Sequence, residues 1–214
     1  MPGKQAKILA ADQIDNLLLF AETTRYPLRD RVIVLLSVKA GLRAAEIANL
    51  TWEMVLDPNG AISTALELRD RAAKKGHGRI IPLQASLRGA LSALREKSEP
   101  SQPVVLSERG SKMKARSIVI RFSRAYRAVG LDGCSSHSGR RTFITRAARL
   151  VHKAGGSLRD VQLLAGILDN EEISLGIARA AQQILAESWT ILAHATGLVF
   201  ARARDPRHRA PTIG

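Results

Sequence analysis

Apolar residues recur at helical spacing over residues 11–23, where Ile14, Leu17, Leu18 and Phe20 fall on one side, and again over 28–40 through Val32, Val34, Leu35 and Leu36. Both stretches predict core helices. Gly41 ends the second run, and the short stretch 43–50, apolar at Ile47 and Leu50, predicts a third helix with Arg43 in its first turn. Asp57-Pro58-Asn59-Gly60 marks a turn. Alternation over 62–68 then predicts a strand, with 79–83 as its partner, ended by Pro82, across the polar and basic loop 71–78. Helical spacing returns over 85–97 through Leu87, Leu91 and Leu94. A polar linker, 98–103, and a short strand, 104–106, are expected next. The basic loop 108–114 leads into a helix over 115–129 that stops at Gly130. Serines at 135 and 136 predict the cap of a helix reaching residue 150, with Phe143, Ile144, Ala147 and Leu150 on one side. Gly155-Gly156 breaks the chain, and Ser157 caps a last helix over 158–164.

This pattern predicts a mainly α fold with a small antiparallel β-hairpin sheet on one side. The expected domain spans 11–166. Residues 1–10 read as a flexible lead-in, 167–200 as a divergent C-terminal helical segment with an amphipathic stretch at 184–200, and 201–214 as a disordered basic tail rich in Arg, Ala and Pro.

A length of 214 residues suits one domain, and 45% hydrophobic residues with few aromatics suit a globular one. No run approaches the roughly 18 apolar residues of a membrane span, and no signal-peptide core follows Lys4 and Lys7, so the expectation is a cytoplasmic protein without a membrane partner. Cys134 is the single cysteine, which excludes an internal disulfide and a cysteine-rich zinc site. Neither a metal nor a cofactor is expected. The 33 Lys and Arg against 19 Asp and Glu give a net charge of +14, which makes a polyanion, and nucleic acid first, the leading partner. A basic ribosomal or membrane-surface protein would carry a similar excess.

Basic residues cluster at loops and helix starts: Arg43; Lys74 and Lys75 with His77; Arg109, Lys112 and Lys114; and His137 with Arg140 and Arg141. Phosphate binding wants this mixture, because a guanidinium fork grips two oxygens at once while a lysine offers a compact charge and a transferable proton. Taken singly, each cluster also reads as solvated surface charge.

In their order along the chain, these clusters resemble the tyrosine recombinase, or phage integrase, family. Ala40-Gly41-Leu42-Arg43-Ala44-Ala45-Glu46-Ile47, followed by Leu50-Thr51-Trp52, is similar to the family's first arginine box. The resemblance implies that Arg43 holds the scissile phosphate and Glu46 supports the site, with Trp52 in the core. Lys74 to Leu83 resembles the family's β-hairpin, with Lys74 as its catalytic lysine and Lys75 able to take its place. His137-Ser138-Gly139-Arg140-Arg141-Thr142-Phe143 resembles the His-x-x-Arg box, with Arg140 the second phosphate clamp. Residues 156–166 resemble the helix leading to the last active-site elements.

What this implies is double-stranded DNA as partner, self-association on the DNA, and the site-specific recombination chemistry of a mobile element. A tyrosine attacks a phosphodiester, two arginines stabilise charge on the non-bridging oxygens, lysine protonates the leaving oxygen and histidine assists. Lys75, His77, Lys112, Lys114 and Arg141 would touch the DNA backbone.

The sequence departs from the family's pattern after Gly166. Ile167 stands where the family has a second histidine, and no tyrosine follows Tyr126, the other being Tyr26. No nucleophile is therefore assigned; Tyr126, inside a predicted helix, reads as packing. Strand cleavage is expected to be defective, the alternative being a non-catalytic DNA-binding regulator that keeps the phosphate pocket. The change of character near Gly166 matches a shifted reading frame, and the few residues ahead of Ala11 are too short for the family's separate DNA-clamping domain. Gly139 stands where the family carries leucine, which predicts weaker helix packing and unaltered chemistry.

Overall fold

The computed structural model describes residues 6–73, 78–98, 102–151 and 155–166. Seven α-helices and a two-stranded sheet follow the predicted order: α1 (Ala11–Glu22), α2 (Pro27–Ala40), α3 (Ala44–Asn49), β1 (Ala65–Leu68), β2 (Arg79–Pro82), α4 (Ala85–Arg95), α5 (Ala115–Ala128), α6 (Ser138–Leu150) and α7 (Leu158–Leu164). The mainly helical reading holds, with differences at element edges.

Helix α2 is the hub. Its residues 32–38 are all buried, Ser37 included, and a helix apolar on every side needs neighbours all round. It packs against α1, α4, α6 and α3. Pro27 starts it, where the missing N–H costs nothing. Gly41 ends it in the left-handed region at φ 64°, with the Leu42 amide returning to the Leu36 carbonyl at 3.1 Å. A side chain at 41 is also barred by space, because a Cβ there would stand 2.4 Å from Cδ1 of Phe143 on α6. Around α2 the core takes in Trp52, Leu66, Ile81, Leu87, Leu91 and Phe122, each large apolar side chain contributing about 1.5–3 kcal/mol on burial. Trp52 is in the core as expected.

Strands β1 and β2 pair antiparallel, Leu68 opposite Arg79 and Leu66 opposite Ile81. The first strand is shorter than the alternation over 62–68 predicts: the 62–64 stretch is spent on a bridge from Ile62 to Leu56 and on the Leu83 amide reaching the Thr64 carbonyl. Residues 104–106 form no strand. Val104 and Val105 are buried, but their ladder ends in isolated bridges, Thr51 to Pro103 and Leu106 to Lys112, for want of a neighbouring strand. Helix α6 begins at Ser138 rather than 135, and His137 flanks it without a side-chain cap; Ser138 Oγ instead accepts the Ser135 amide at 3.0 Å.

The glycine at 139 does the reverse of what its place in the box predicts. A Cβ at 139 would lie 2.3 Å from Ser37 Oγ and 3.1 Å from Val38 Cγ1. Its absence brings α6 down onto α2, so the glycine is a means of close packing. Ahead of α1, in the stretch read as flexible, Leu9 is 2% exposed and its amide donates to Thr142 Oγ1 at 2.8 Å. The expected segments 167–200 and 201–214 lie outside the described residues.

Candidate active site

The first arginine box becomes a site because α3 is short and directly follows the turn at Gly41. Arg43 caps α3 in extended conformation, with φ −76° and ψ 156°, and Glu46 lies one turn on. The Glu46 carboxylate reaches back: Oε2 accepts the Arg43 backbone N–H at 2.9 Å and Oε1 accepts Arg43 Nη1 at 2.9 Å. Glu46 is fully buried and the Arg43 side chain is 23% exposed, so the arginine looks outward from a buried anchor.

The other side of that carboxylate is taken by Arg79, at the start of β2. Its Nη1 donates to Oε1 at 3.1 Å and its Nη2 to Oε2 at 2.9 Å, a bidentate pair. Its Nε donates to the Leu164 carbonyl at the end of α7 at 3.1 Å. Burial raises the Glu46 pKa, but the bonds and charges of Arg79 and Arg43 outweigh it and hold the carboxyl at about 2. Glu46 is therefore an anion throughout the neutral range.

Arg140 arrives from α6, one turn in from His137. Its Nη1 donates to the Gly41 carbonyl at 2.6 Å, and its Nη2 to the Ala165 carbonyl at the end of α7. Arg140 is buried, and its pKa is pushed down to about 10, by burial first and then by the positive charges of Arg43 and Arg79, with Glu46 opposing. The two arginines of the two boxes thus converge. Three guanidinium charges against the single carboxylate bonded to two of them leave an excess of two positive charges in one half-buried place. Such an arrangement is destabilising until an anion enters it.

The structure brings together Arg43, Glu46 and Arg140. His137 is exposed at the start of the same helix as Arg140, and Arg141 follows, partly buried. Arg109, Lys112 and Lys114 are exposed on the loop ahead of α5 and take no part in these bonds. Lys74, Lys75 and His77 lie outside the described residues. Tyr126 is 2% exposed and stacked on Phe122 with ring centroids 5.9 Å apart; burial, then Cys134, pushes its hydroxyl pKa up against a weaker opposing effect of the Gly139 amide.

Arg79 is the residue to which sequence reasoning gave no role beyond marking the hairpin, five positions after Lys74. It sits two positions from the buried Ile81 on the inward face of a strand. An arginine at an inward position needs a buried partner, and that was the available signal.

This fold and this arginine cluster define the class, and the comparisons agree: the phage integrase family model matches residues 7–174, and the chain belongs to that family. It is 30% identical over 172 residues to tyrosine recombinase XerC of Xylella fastidiosa strain M23, covering 78% of this chain and 54% of that protein. With tyrosine recombinase XerA of Thermococcus kodakarensis it shares 28% identity over 170 residues, 78% of this chain and 56% of the other. The chain spans about half the length of these curated relatives. A crystal structure of XerA recombinase superposes with a TM-score of 0.61 at 18% identity, covering 93% of this chain and 68% of that one. A lambda integrase dimer bound to a COC' core site gives 0.58 at 20% identity, covering 78% and 61%. The fold is that of integrase catalytic domains. Among the described residues no helix is long and apolar enough to cross a membrane.

Proposed function

We propose that the chain binds duplex DNA through one backbone phosphate held between Arg43 and Arg140, as the catalytic domain of an integrase-type site-specific recombinase. The observation that carries this reading is the convergence of the guanidinium groups around a single buried carboxylate, with positive charge left over. A phosphate diester supplies the missing negative charge and acceptors for the remaining N–H donors. Lys74 is the proton donor to the leaving oxygen, with Lys75 beside it, and His137 assists at the pocket's edge. Lys75, His77, Lys112, Lys114 and Arg141 contribute backbone contacts, which add salt-sensitive affinity without sequence preference. Self-association on DNA fits a relative whose structure is a dimer on a core site.

Within this sequence no tyrosine follows Tyr126, and Tyr126 is packed away from solvent. This favours a second reading at the level of chemistry: a phosphate-binding domain that does not cleave, acting as a non-catalytic regulator. A nicked suicide duplex tests both. Binding that weakens steeply with salt and yields no covalent protein–DNA product is expected. A covalent adduct would overturn the non-cleaving reading and, once mapped, name the nucleophile. Binding unaffected by replacing both Arg43 and Arg140 with Ala would overturn the phosphate pocket itself.

A further inference from the structure

Arg79 cannot touch a phosphate, because its side chain is only 2% exposed. We propose that Arg79 is a positioning residue of the phosphate pocket, acting on Arg43 through Glu46 and on the end of α7 through the Leu164 carbonyl. The proposal rests on the reading of Arg43 as a phosphate ligand.

Glu46 receives four bonds. Oε1 takes Nη1 of Arg43 and Nη1 of Arg79, while Oε2 takes the Arg43 amide and Nη2 of Arg79. A carboxylate offers about four acceptor directions, so this one is full. The fork from Arg79 sets the plane of the carboxylate, which no single-point cation would do. It also limits what Glu46 can take from Arg43. Without Arg79, both oxygens are free to close on the Arg43 guanidinium as a chelating pair, occupying its fork and cancelling its charge. With Arg79 present, Glu46 holds the Arg43 side chain by Nη1, and among the described residues no other bond engages that guanidinium. The fork stays available to a phosphate.

The same guanidinium is the floor beneath the chain as it leaves α7. Arg79 Nε takes the Leu164 carbonyl and Arg140 Nη2 takes the next one, Ala165. Gly166 turns over this floor at φ 60°, where a Cβ would stand 2.9 Å from Arg79 Nη1. Two consecutive carbonyls and both phosphate arginines therefore belong to one bonded unit. Arg79 lies at its centre, linking α3, β2 and α7.

The experiment is a double-mutant cycle on the full chain, read as the dissociation constant of a fluorescein-labelled duplex over a salt series. Arg79→Lys keeps the charge and loses the fork. It is expected to weaken binding about tenfold and to reduce the slope of log K against log salt by about 1, the same change expected of Arg43→Ala. The double variant Arg43→Ala/Arg79→Lys is expected to bind no more weakly than Arg43→Ala alone, because Arg79 acts through Arg43. Should Arg79→Lys not fold, Arg79→Gln replaces it; with the fork gone and the Glu46 carboxylate kept, that carboxylate closes on Arg43 and the same loss of slope is expected. Wild-type affinity and slope in the Arg79 variant, or losses that simply add in the double variant, would overturn the proposal. If Arg43→Ala itself leaves affinity and slope unchanged, the phosphate reading fails, and the positioning role with it.

Discussion

Arg140 on α6 donates to the carbonyl of Gly41 at 2.6 Å across 99 positions of the chain. This bond joins the end of α2 to the start of α6 and sets the second box against the first. It also holds Arg140 in the company of Arg43 and Arg79, whose charges add to burial in depressing its pKa to about 10. The uncompensated charge of this pocket opposes folding, and two consequences of it, with two of the packing elsewhere, are open to measurement.

An anion should stabilise the protein by relieving the repulsion around Arg140. Inorganic phosphate or sulfate at about 100 times its dissociation constant is expected to add about 2.7 kcal/mol. Thermal melting against anion concentration measures it. Arg43→Ala and Arg140→Gln should each remove most of the rise; an equal rise in those variants would place the anion elsewhere.

Glu46 makes acid stability diagnostic. Its folded pKa, about 2, lies below the ordinary carboxyl value of 4.5, so the stabilisation is complete above pH 4.5 and is lost as pH falls towards 2. That difference corresponds to about 3 kcal/mol. Glu46→Gln should cost about 3–5 kcal/mol at neutral pH, by leaving Arg79 buried without its counter-charge. It should also flatten the stability profile between pH 4.5 and 2. Urea unfolding across that range checks both; an unchanged slope would show that another carboxylate governs the acid limb.

Gly139 should resist the leucine that its box ordinarily carries. Ser37 and Val38 fill the space where its side chain would go. Gly139→Leu is expected to cost about 1–3 kcal/mol by overpacking, and Ser37→Ala in that background should recover part of the loss. Denaturant midpoints for the single and double variants decide it. A stable Gly139→Leu variant would mean that α6 can move away from α2 at little cost.

Tyr126→Phe tests whether the buried hydroxyl has any part in strand chemistry. Affinity for duplex DNA and the adduct yield on a nicked substrate should both match the unsubstituted chain. An adduct present in the parent and lost in this variant would make Tyr126 the nucleophile.

Much of the helical frame is legible in the sequence, because helices are local: the periodic leucines of α1 and α4, the glycines at 41 and 130, and the Ser157–Asp160 cap of α7 each act within a few residues. The spacing of Arg43 and Glu46, one turn apart at a helix start, is local too. What only tertiary structure decided is everything that spans the chain. The convergence of Arg43 with Arg140, the entry of Arg79 into the same carboxylate, and the use of two α7 carbonyls as acceptors all depend on how α2, α6, α7 and β2 pack. The value of Gly139 shows the same division: the sequence records only a missing side chain, whereas the reason for it is Ser37 on another helix. Hydrogen bonding to a buried charge is strong and directional, but its partners come from distant segments, so packing chooses them and local pattern does not.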